Sequence, residues 1–372
     1  MRILWIPHAA WRIPQRAHLF TRILAERHEV HVTDWAADFY SWRDYASLRY
    51  PRNFFHRRFR DGNIAVHGIP RISPALFFSP LRRWNARRFS ATVDRIIRQY
   101  RIDVVVGTFV VPPPDAPRLV FDLFDDNAAY WRAYGRVPEY IAEVESVEAA
   151  YLQRADATVA ASSVLAERAG KAASRPIHWI PNGVDLGRFA VTDAASWRLK
   201  WKAPGFLVGV LGNFEKPDEL RNVLDTAALL RGDDPTFVVA GRGSTIPAAG
   251  RSARRRGLAN VKFVGAVPLA DAPDAVSAFD IGFCPYRKTP FADACSPMRL
   301  LLYAAAGLPT VCTNLEEVRR MGFSNVVLTG DDPESMADGI RRARRLPRER
   351  PAQIESYDLP RLADRYEQVL KG

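Results

Sequence analysis

The chain has 372 residues, of which 48% are hydrophobic and 25% charged, and its formal net charge is +12. This length exceeds what one hydrophobic core usually holds, so two domains are expected, and the composition excludes a disordered chain. The apolar run at Arg2–Pro7 is too short for a signal peptide, and no run approaches the roughly 20 residues that a membrane-spanning helix needs.

The first half of the sequence alternates strands with helices from its start. Arg2–Pro7 predicts a strand, 15–27 an amphipathic helix and Glu29–Thr33 a second strand, which together open a Rossmann half. The β-branched run at 102–108 predicts a central parallel strand. Further predicted elements are strands at 119–123, 157–160 and 177–180 and a helix at 140–154.

A second series of strands and helices follows a connecting stretch at 181–204. Its predicted strands are 206–211, 236–240, 261–264, 281–283 and 310–312, and its predicted helices are 218–230, 270–278, 299–306 and 332–346. Two doubly wound Rossmann-like α/β domains are therefore expected, at 1–185 and 200–355. The last helix, within 358–372, could pack back on the first domain.

Most of the positive charge lies between Phe39 and Arg101, which contain 14 arginines, no lysine and three aspartates, for a net charge of +11. Many aromatic residues are mixed with these arginines, and 80–100 fits an amphipathic helix with Trp84 and Phe89 on its apolar side. Three interpretations compete: a nucleic-acid surface, an ordinary solvated face, and contact with anionic lipid headgroups. We expect peripheral contact with an anionic membrane surface and no nucleic acid.

The three cysteines, Cys284, Cys295 and Cys312, all lie in the second half. An odd count suits a reducing compartment, so we expect the protein in the cytoplasm, with a peripheral position on the inner membrane face as the alternative. No His/Cys cluster has the spacing of a metal site, so no metal is expected.

The segment Ser296–Pro309 carries the strongest chemical signal. Ser296 is predicted to cap a helix that begins at Pro297, so that the first-turn N–H groups and Arg299 face an anionic ligand. A well-capped core helix with a solvated arginine is the alternative. Upstream, the turn Gly212–Asn213 follows a strand, where a small turn lets a diphosphate approach backbone N–H groups.

Six strings in the same order resemble glycosyltransferase family four: IPNGVD from Ile180, GVLGN from Gly209, VVAGRG from Val238, NVKFVG from Asn260, AFDIGFCPY from Ala278 and SPMRLLLYAAAGLP from Ser296. The resemblance implies the GT-B fold, two Rossmann-like domains facing each other across a cleft. The first domain would bind the acceptor, and the second would bind a nucleotide diphosphate sugar, a UDP-sugar being favoured, without a metal or cofactor. The implied donor-binding residues are Gly212, Asn213, Lys216, Arg242, Tyr286, Ser296, Pro297, Met298 and Arg299.

Two positions depart from the family pattern. Relatives carry glutamates where this chain has Ala294 and Leu302, so the paired acids of retaining members are absent. The sequence resembles more loosely the xanthan-type glucuronosyltransferase group, which is inverting and uses a tyrosine that Tyr286 matches. An inverting hexosyltransferase-type reaction is therefore expected.

In the first half, the string from Phe121 to Asn127 resembles the "YD..DD" element of many relatives. An inverting transfer needs a base for the acceptor hydroxyl, and Asp126 is slightly preferred over Asp125, with a helix cap as the alternative role of each. His8 is a third candidate base. A stretch that resembles an acceptor-facing element contains Trp11, Arg12 and Arg16.

We expect a glycosyltransferase acting on a lipid-linked glycan or polysaccharide precursor. The alternatives are a soluble natural-product glycosyltransferase and a non-catalytic sugar-nucleotide-binding relative. A nicotinamide dehydrogenase is disfavoured, because the loop after the first strand lacks G-x-G-x-x-G.

Overall fold

The computed structural model describes residues 1–11, 13, 15–35, 57–70, 79–135, 138–215, 217–233 and 235–372. Contacts within the chain divide it into two compact units. Unit 1 consists of Met1–Pro181 with Pro360–Gly372, and unit 2 consists of Asn182–Leu359. Each unit is built around one sheet.

The sheet of unit 1 has eight strands in the order β3-β4-β2-β1-β5-β6-β7-β8. The strands are β1 (Arg2–Trp5), β2 (Glu29–Trp35), β3 (Arg57–Asp61), β4 (Ile64–Ile69), β5 (Val104–Gly107), β6 (Leu119–Leu123), β7 (Ala157–Ala160) and β8 (Ile177–Trp179). Strand β3 runs antiparallel to β4, and the other pairs are parallel. The strand order reverses between β1 and β5, which makes this the topological switch point of unit 1.

Among the described residues, the first part of unit 1 contains five α-helices. They are α1 (Arg16–Leu24), α2 (Ser79–Tyr100), α3 (Asn127–Tyr134), α4 (Pro138–Arg154) and α5 (Ser163–Gly170). The strands β1, β5, β6 and β7 are wholly or almost wholly buried, as expected of apolar runs covered by helices on both faces.

The sheet of unit 2 has six parallel strands in the order β11-β10-β9-β12-β13-β14. The strands are β9 (Phe206–Asn213), β10 (Pro235–Arg242), β11 (Val261–Gly265), β12 (Ile281–Cys284), β13 (Thr310–Thr313) and β14 (Val326–Thr329). This is the strand order of a Rossmann sheet, with its switch point between β9 and β12. The prediction of two doubly wound Rossmann-like domains is confirmed.

The helices of unit 2 are α6 (Ala194–Lys200), α7 (Pro217–Leu229), α8 (Ile246–Arg255), α9 (Ala272–Ser277), α10 (Pro290–Ala294), α11 (Met298–Ala305), α12 (Glu316–Met321) and α13 (Pro333–Ala343). The terminal helix α14 (Leu359–Lys371) belongs to unit 1 from Pro360 onward. Short 3-10 helices lie at Leu186–Phe189, Arg231–Asp233, Leu269–Asp271 and Ala352–Tyr357.

The segment that follows Pro181 is held within unit 2. The Val184 N–H donates to the Tyr357 carbonyl (3.0 Å), and the Leu359 N–H donates to the Val184 carbonyl (3.0 Å). Asn182–Asp185 therefore packs with the second sheet, although the sequence assigned these residues to the first domain.

The amphipathic helix predicted at 80–100 exists as α2, but its apolar side does not face outward. Phe89, Val93, Ile96 and Ile97 are buried in unit 1, so the interpretation of this side as a membrane-inserting face is wrong. The outer side carries Trp84, 38% exposed, and the exposed arginines 83, 87, 88, 95 and 98. The rest of the basic block at 39–56 and 71–78 lies outside the described residues. Within the described ranges, no helix is both long and apolar enough to cross a bilayer.

Candidate functional site

The switch point of unit 2 brings together residues from three motifs that are distant in sequence. Gly212 lies at the carboxyl end of β9, Tyr286 follows β12, and Arg299 lies in the first turn of α11. A β-carbon built on Gly212 would lie 2.7 Å from Nη2 of Arg299, so only glycine gives the guanidinium this space. Ligands of open α/β sheets bind at such strand ends.

The guanidinium of Arg299 is enclosed rather than solvated. Its Nη2 donates to Oε2 of Glu219 on α7 (2.9 Å), and the two side chains are 10% and 7% exposed. Its central carbon lies 5.0 Å from the ring centre of Tyr286 and 5.8 Å from that of Phe214. The alternative of a solvated arginine is therefore wrong, because a carboxylate and two aromatic rings enclose the side chain.

Charge and burial oppose each other at this arginine. Burial lowers the pKa of Arg299, but the negative charge of Glu219 and the surrounding groups raise it by more than burial lowers it. The pKa is therefore well above its usual value, and the guanidinium stays charged. Burial likewise raises the pKa of the Tyr286 hydroxyl far above its ordinary value, which keeps this ring neutral. Within the described part of the chain, Nη1 of Arg299 is buried without a hydrogen-bond partner.

The loops after β9 and β10 are packed against each other through glycines. A β-carbon on Gly241 would lie 1.9 Å from the Gly212 carbonyl oxygen, and one on Gly243 would lie 2.2 Å from the Phe214 carbonyl oxygen. The Phe214 N–H donates to the Arg242 carbonyl (2.7 Å). These contacts fix the edge on which the side chains of Asn213 and Arg242 are exposed. The predicted Lys216 lies outside the described residues.

Ser296 does not cap the helix that follows it, and this prediction is wrong. Helix α11 begins at Met298 with Pro297 in the cap position, and among the described residues no side chain caps this start. A proline there cannot supply a capping oxygen. Ser296 instead contacts Asn182, whose Nδ2 donates to the Ser296 carbonyl (2.8 Å) and whose N–H approaches the Ser296 hydroxyl (3.4 Å).

The sequence analysis missed Glu219. The signal was present, because α7 turns Leu220, Val223 and Leu224 toward the core and Glu219 lies next to this apolar face. A glutamate in such a position is almost never buried unless it is paired. Its partner could not be named from the sequence, because 80 residues separate it from Arg299.

In unit 1, His8 follows β1 and stacks on Phe124, which follows β6, with ring centres 4.0 Å apart. Burial, with a smaller contribution from His18, lowers the pKa of His8 to about 4. The imidazole is therefore neutral at physiological pH and could accept a proton.

The two candidate aspartates of unit 1 differ in their contacts. Asp126 caps α3, since its Oδ1 accepts from the Ala129 N–H (2.9 Å) and its Oδ2 accepts from Arg168 (3.0 Å). Asp125 precedes the cap and is partly exposed. The contacts of Asp126 favour the capping role that the sequence left open for it.

A third carboxylate, near these two aspartates, was not predicted. Glu148 on α4 accepts a hydrogen bond from Asn127 Nδ2 (3.0 Å), and the same Nδ2 donates to the Asp125 carbonyl (3.1 Å). Burial, reinforced by the negative charge of Asp126, raises the pKa of Glu148 to about 7.

The residues expected on the acceptor side lie inside unit 1. Trp11 is buried, stacks on His18 and donates its indole N–H to Asp61 (2.9 Å). Arg16 is 6% exposed and pairs with Asp122 (3.0 Å). Arg12 lies outside the described residues. The described residues contain no cluster of three or more His, Cys, Asp or Glu side chains that could hold a metal ion.

Comparisons with known proteins agree with this architecture. Residues 205–345 match the family model for glycosyl transferases group 1. A putative teichuronic acid biosynthesis glycosyltransferase, TuaH of Bacillus subtilis, is 28% identical over 196 residues, which cover 51% of this chain. The match spans about half of that relative, 49% of its length.

Solved structures resemble the chain over its whole length. A sucrose-phosphate synthase from Thermosynechococcus elongatus gives a TM-score of 0.76 at 14% identity, covering 100% of this chain and 98% of that one. WaaG, a glycosyltransferase involved in lipopolysaccharide biosynthesis, gives 0.71 at 15% identity, and HepE from Anabaena in complex with UDP gives 0.68 at 17%, each covering 100% of both chains. At these identities the likeness shows the fold.

Proposed function

We propose that this chain, a member of the group 1 glycosyltransferases with the GT-B fold, transfers the sugar of a uridine diphosphate (UDP) sugar to a hydroxyl group of a glycan or a lipid-linked acceptor. The observation that carries the proposal is the enclosed Arg299 guanidinium at the switch point of unit 2. Two relatives support its details: HepE was solved with UDP, and TuaH is named for the biosynthesis of a polysaccharide.

The donor diphosphate would be held by charge and by backbone N–H groups. Arg299 offers a permanently charged guanidinium, and the start of α11 offers N–H groups that no described side chain caps. Gly212 leaves the room that the guanidinium needs. Basic side chains and a helix start are sufficient to neutralise a leaving diphosphate, so we propose a metal-independent reaction.

We propose that the transfer inverts the anomeric carbon, with Asp125 as the base. The acceptor oxygen attacks the anomeric carbon, the bond to the diphosphate oxygen breaks, and UDP leaves with the electron pair while the carboxylate takes the acceptor proton. Asp125 is chosen because it is partly exposed just after β6, whereas the contacts of Asp126 with the Ala129 N–H and with Arg168 favour a structural role for Asp126.

The basic outer side of α2 supports an acceptor at a membrane surface. Its exposed arginines could bind anionic headgroups, each contributing about 1 kcal/mol near the surface. Trp84, with the Arg88 guanidinium 4.7 Å from its ring centre, could enter the headgroup layer.

The donor proposal is tested by thermal unfolding with a panel of nucleoside diphosphates and their sugars. UDP or a UDP-sugar should raise the melting temperature, because a ligand at 100 times its Kd adds about 2.7 kcal/mol to the free energy of unfolding. Arg299→Ala should bind UDP roughly tenfold to a hundredfold more weakly, as a charged hydrogen bond is lost. Unchanged UDP affinity in this variant would contradict the proposal that Arg299 binds the donor diphosphate.

Membrane contact is tested separately by flotation with liposomes. The protein should float with vesicles that contain phosphatidylserine and less with neutral ones, and Arg83→Gln with Arg87→Gln should reduce flotation. Arg342→Gln with Arg345→Gln removes the same charge from exposed positions of unit 2 and should not. Equal flotation of both double variants would exclude α2 as the contact.

A further inference from the structure

The pair between Arg299 and Glu219 leaves the arginine incompletely satisfied. One guanidinium nitrogen is paired at 2.9 Å, while another is buried without a partner among the described residues. Both side chains are almost fully enclosed. A buried charge normally has all of its hydrogen bonds made, so an orphaned nitrogen needs an explanation.

Two aromatic rings flank the guanidinium, and Glu219 is the one carboxylate paired with it among the residues that the structure describes. Tyr286 and Phe214 contribute ring faces at 5.0 and 5.8 Å, and Gly212 contributes space on the β9 side. Aromatic faces attract a cation without accepting its hydrogen bonds in the way that an oxygen does. Nη1 of Arg299 could therefore still donate to a further acceptor oxygen, and a diphosphate carries several such oxygens.

We propose that Glu219 is a positioning residue that holds Arg299 in the donor-free protein, and that a nucleoside diphosphate takes over part of the guanidinium when it binds. This inference rests on the proposed function. Glu219 thereby keeps the charged side chain in place while the site is empty. It also competes with the incoming diphosphate, because both are anions that bind the same group.

A purely structural ion pair makes a different prediction. Removal of one partner of a buried pair leaves the other charge uncompensated, so Glu219→Gln should lower the melting temperature in either case. If a diphosphate also neutralises Arg299, UDP should restore the lost stability and bind the variant more tightly. If the pair is only structural, the UDP-induced shift should equal that of the wild type.

The experiment compares wild type, Glu219→Gln and a control by thermal unfolding and by titration calorimetry with UDP. We expect the melting temperature of Glu219→Gln to fall without UDP, its UDP-induced shift to exceed that of the wild type, and its Kd for UDP to be about tenfold lower. The control is Asp225→Asn, which removes a carboxylate from the same helix, where it pairs with Arg256 at 2.8 Å with both side chains about one-third exposed. This control should change neither quantity by more than about twofold.

The possible failures can be told apart. Absence of UDP binding to the wild type would contradict the proposed function itself. UDP binding to the wild type with an unchanged Kd and an unchanged shift in Glu219→Gln would overturn the present inference alone. If Glu219→Gln does not fold, Glu219→Asp retains the charge but shortens its reach, and it should bind UDP more tightly than the wild type; an equal or weaker affinity overturns the inference.

Discussion

Unit 1 and unit 2 each bury an arginine against a carboxylate that belongs to a neighbouring element, and the two pairs are completed differently. Arg16 of α1 lies against Asp122 in β6, and Arg299 of α11 lies against Glu219 in α7. Each guanidinium also has two aromatic neighbours: Phe20 and Tyr366 in unit 1, Tyr286 and Phe214 in unit 2.

In unit 1, the Arg16 guanidinium donates to both oxygens of Asp122 and to a backbone carbonyl. Nε of Arg16 lies 3.0 and 3.3 Å from the two carboxylate oxygens of Asp122, and Nη2 donates to the Ile180 carbonyl (2.7 Å). Tyr366 on α14 lies against the same pair, so this arginine ties the terminal helix and the end of the first part of unit 1 to the sheet. In unit 2, among the described residues, the Arg299 guanidinium donates to a single carboxylate oxygen, Oε2 of Glu219. The two arginines are alike in residue type, burial and aromatic neighbours, and they differ in the hydrogen bonds that their guanidinium groups make.

The largest expected effect is the loss of stability on opening the closed pair. Asp122→Asn leaves the Arg16 charge buried and unpaired, which should cost about 3–5 kcal/mol in the free energy of unfolding, measured by chemical denaturation. UDP should not restore this loss, in contrast to the behaviour expected of Glu219→Gln.

Asp364→Asn is the matched control for this measurement, because Asp364 pairs with Arg27 on the surface of unit 1. An exposed pair contributes less than about 1 kcal/mol. If Asp122→Asn lowered the free energy of unfolding no more than this control does, the structural role of the pair between Arg16 and Asp122 would be contradicted.

The difference between the two arginine pairs could not be predicted from the sequence, although most of the elements that hold them could. Strand and helix periodicity predicted most elements, and β6 and β7 were placed at their observed bounds, because continuous apolar runs identify buried parallel strands. Strand β3 was missed because its charged sequence has no apolar pattern, and β4 was missed because it lies inside a block that was interpreted by its charge. Strand β14 was missed although it is as long as β7, which was predicted.

The candidate site was predicted in part. The motifs brought Gly212, Tyr286 and Arg299 to one sheet edge, and the structure places them in contact. What the sequence could not supply was the partner of each charge. Arg16 stood in a motif that resembled an acceptor-facing stretch, yet its nearest carboxylate lies 106 residues away in sequence and buries it.

The next prediction separates the two aspartates that follow β6 in unit 1. If Asp125 is the base, Asp125→Asn should lower kcat by about 10²–10⁴-fold at saturating donor, since a general base contributes on that scale. Asp126→Asn should lower kcat far less and should change the free energy of unfolding by less than about 1 kcal/mol, because asparagine also caps a helix and only the partly exposed pair with Arg168 is lost. Steady-state kinetics beside denaturation curves would check this, and the reverse pattern would return the base role to Asp126.

A smaller effect is expected at Glu148, a partly buried carboxylate whose pKa is raised to about 7 from 4.5. Because the folded state holds this proton more tightly than the unfolded state, ionisation of Glu148 costs stability progressively as the pH rises from 4.5 to 7. Glu148→Gln removes that cost while its carbonyl oxygen can still accept from Asn127. The variant should gain about 2–3 kcal/mol relative to the wild type between pH 4.5 and pH 8.

Parallel denaturation of both proteins across this pH range would measure the gain. Glu143→Gln is the control, since Glu143 lies on the same helix and pairs with Arg82 with 40% of its side chain exposed. A difference between Glu148→Gln and wild type that stays constant with pH would contradict the partly buried, proton-binding carboxylate.

The smallest effect sharpens the comparison between the two arginines most directly. A methyl group at Gly212 would lie 2.7 Å from Nη2 and 3.1 Å from the central carbon of the Arg299 guanidinium, so Gly212→Ala must displace the end of this side chain. Because that end can shift, the free energy of unfolding should fall by less than about 1 kcal/mol. The Kd for UDP should rise about tenfold, equivalent to about 1.4 kcal/mol, because the guanidinium leaves its binding position.

Gly241→Ala gives the opposite balance and serves as the control. Its methyl group would meet the backbone carbonyl oxygen of Gly212 at 1.9 Å, and a backbone atom cannot move aside as a side chain can. This variant should lose about 1–3 kcal/mol of stability. If Gly212→Ala retained wild-type affinity for UDP, Arg299 would be a closed structural arginine like Arg16, and the difference between the two units would have to lie elsewhere.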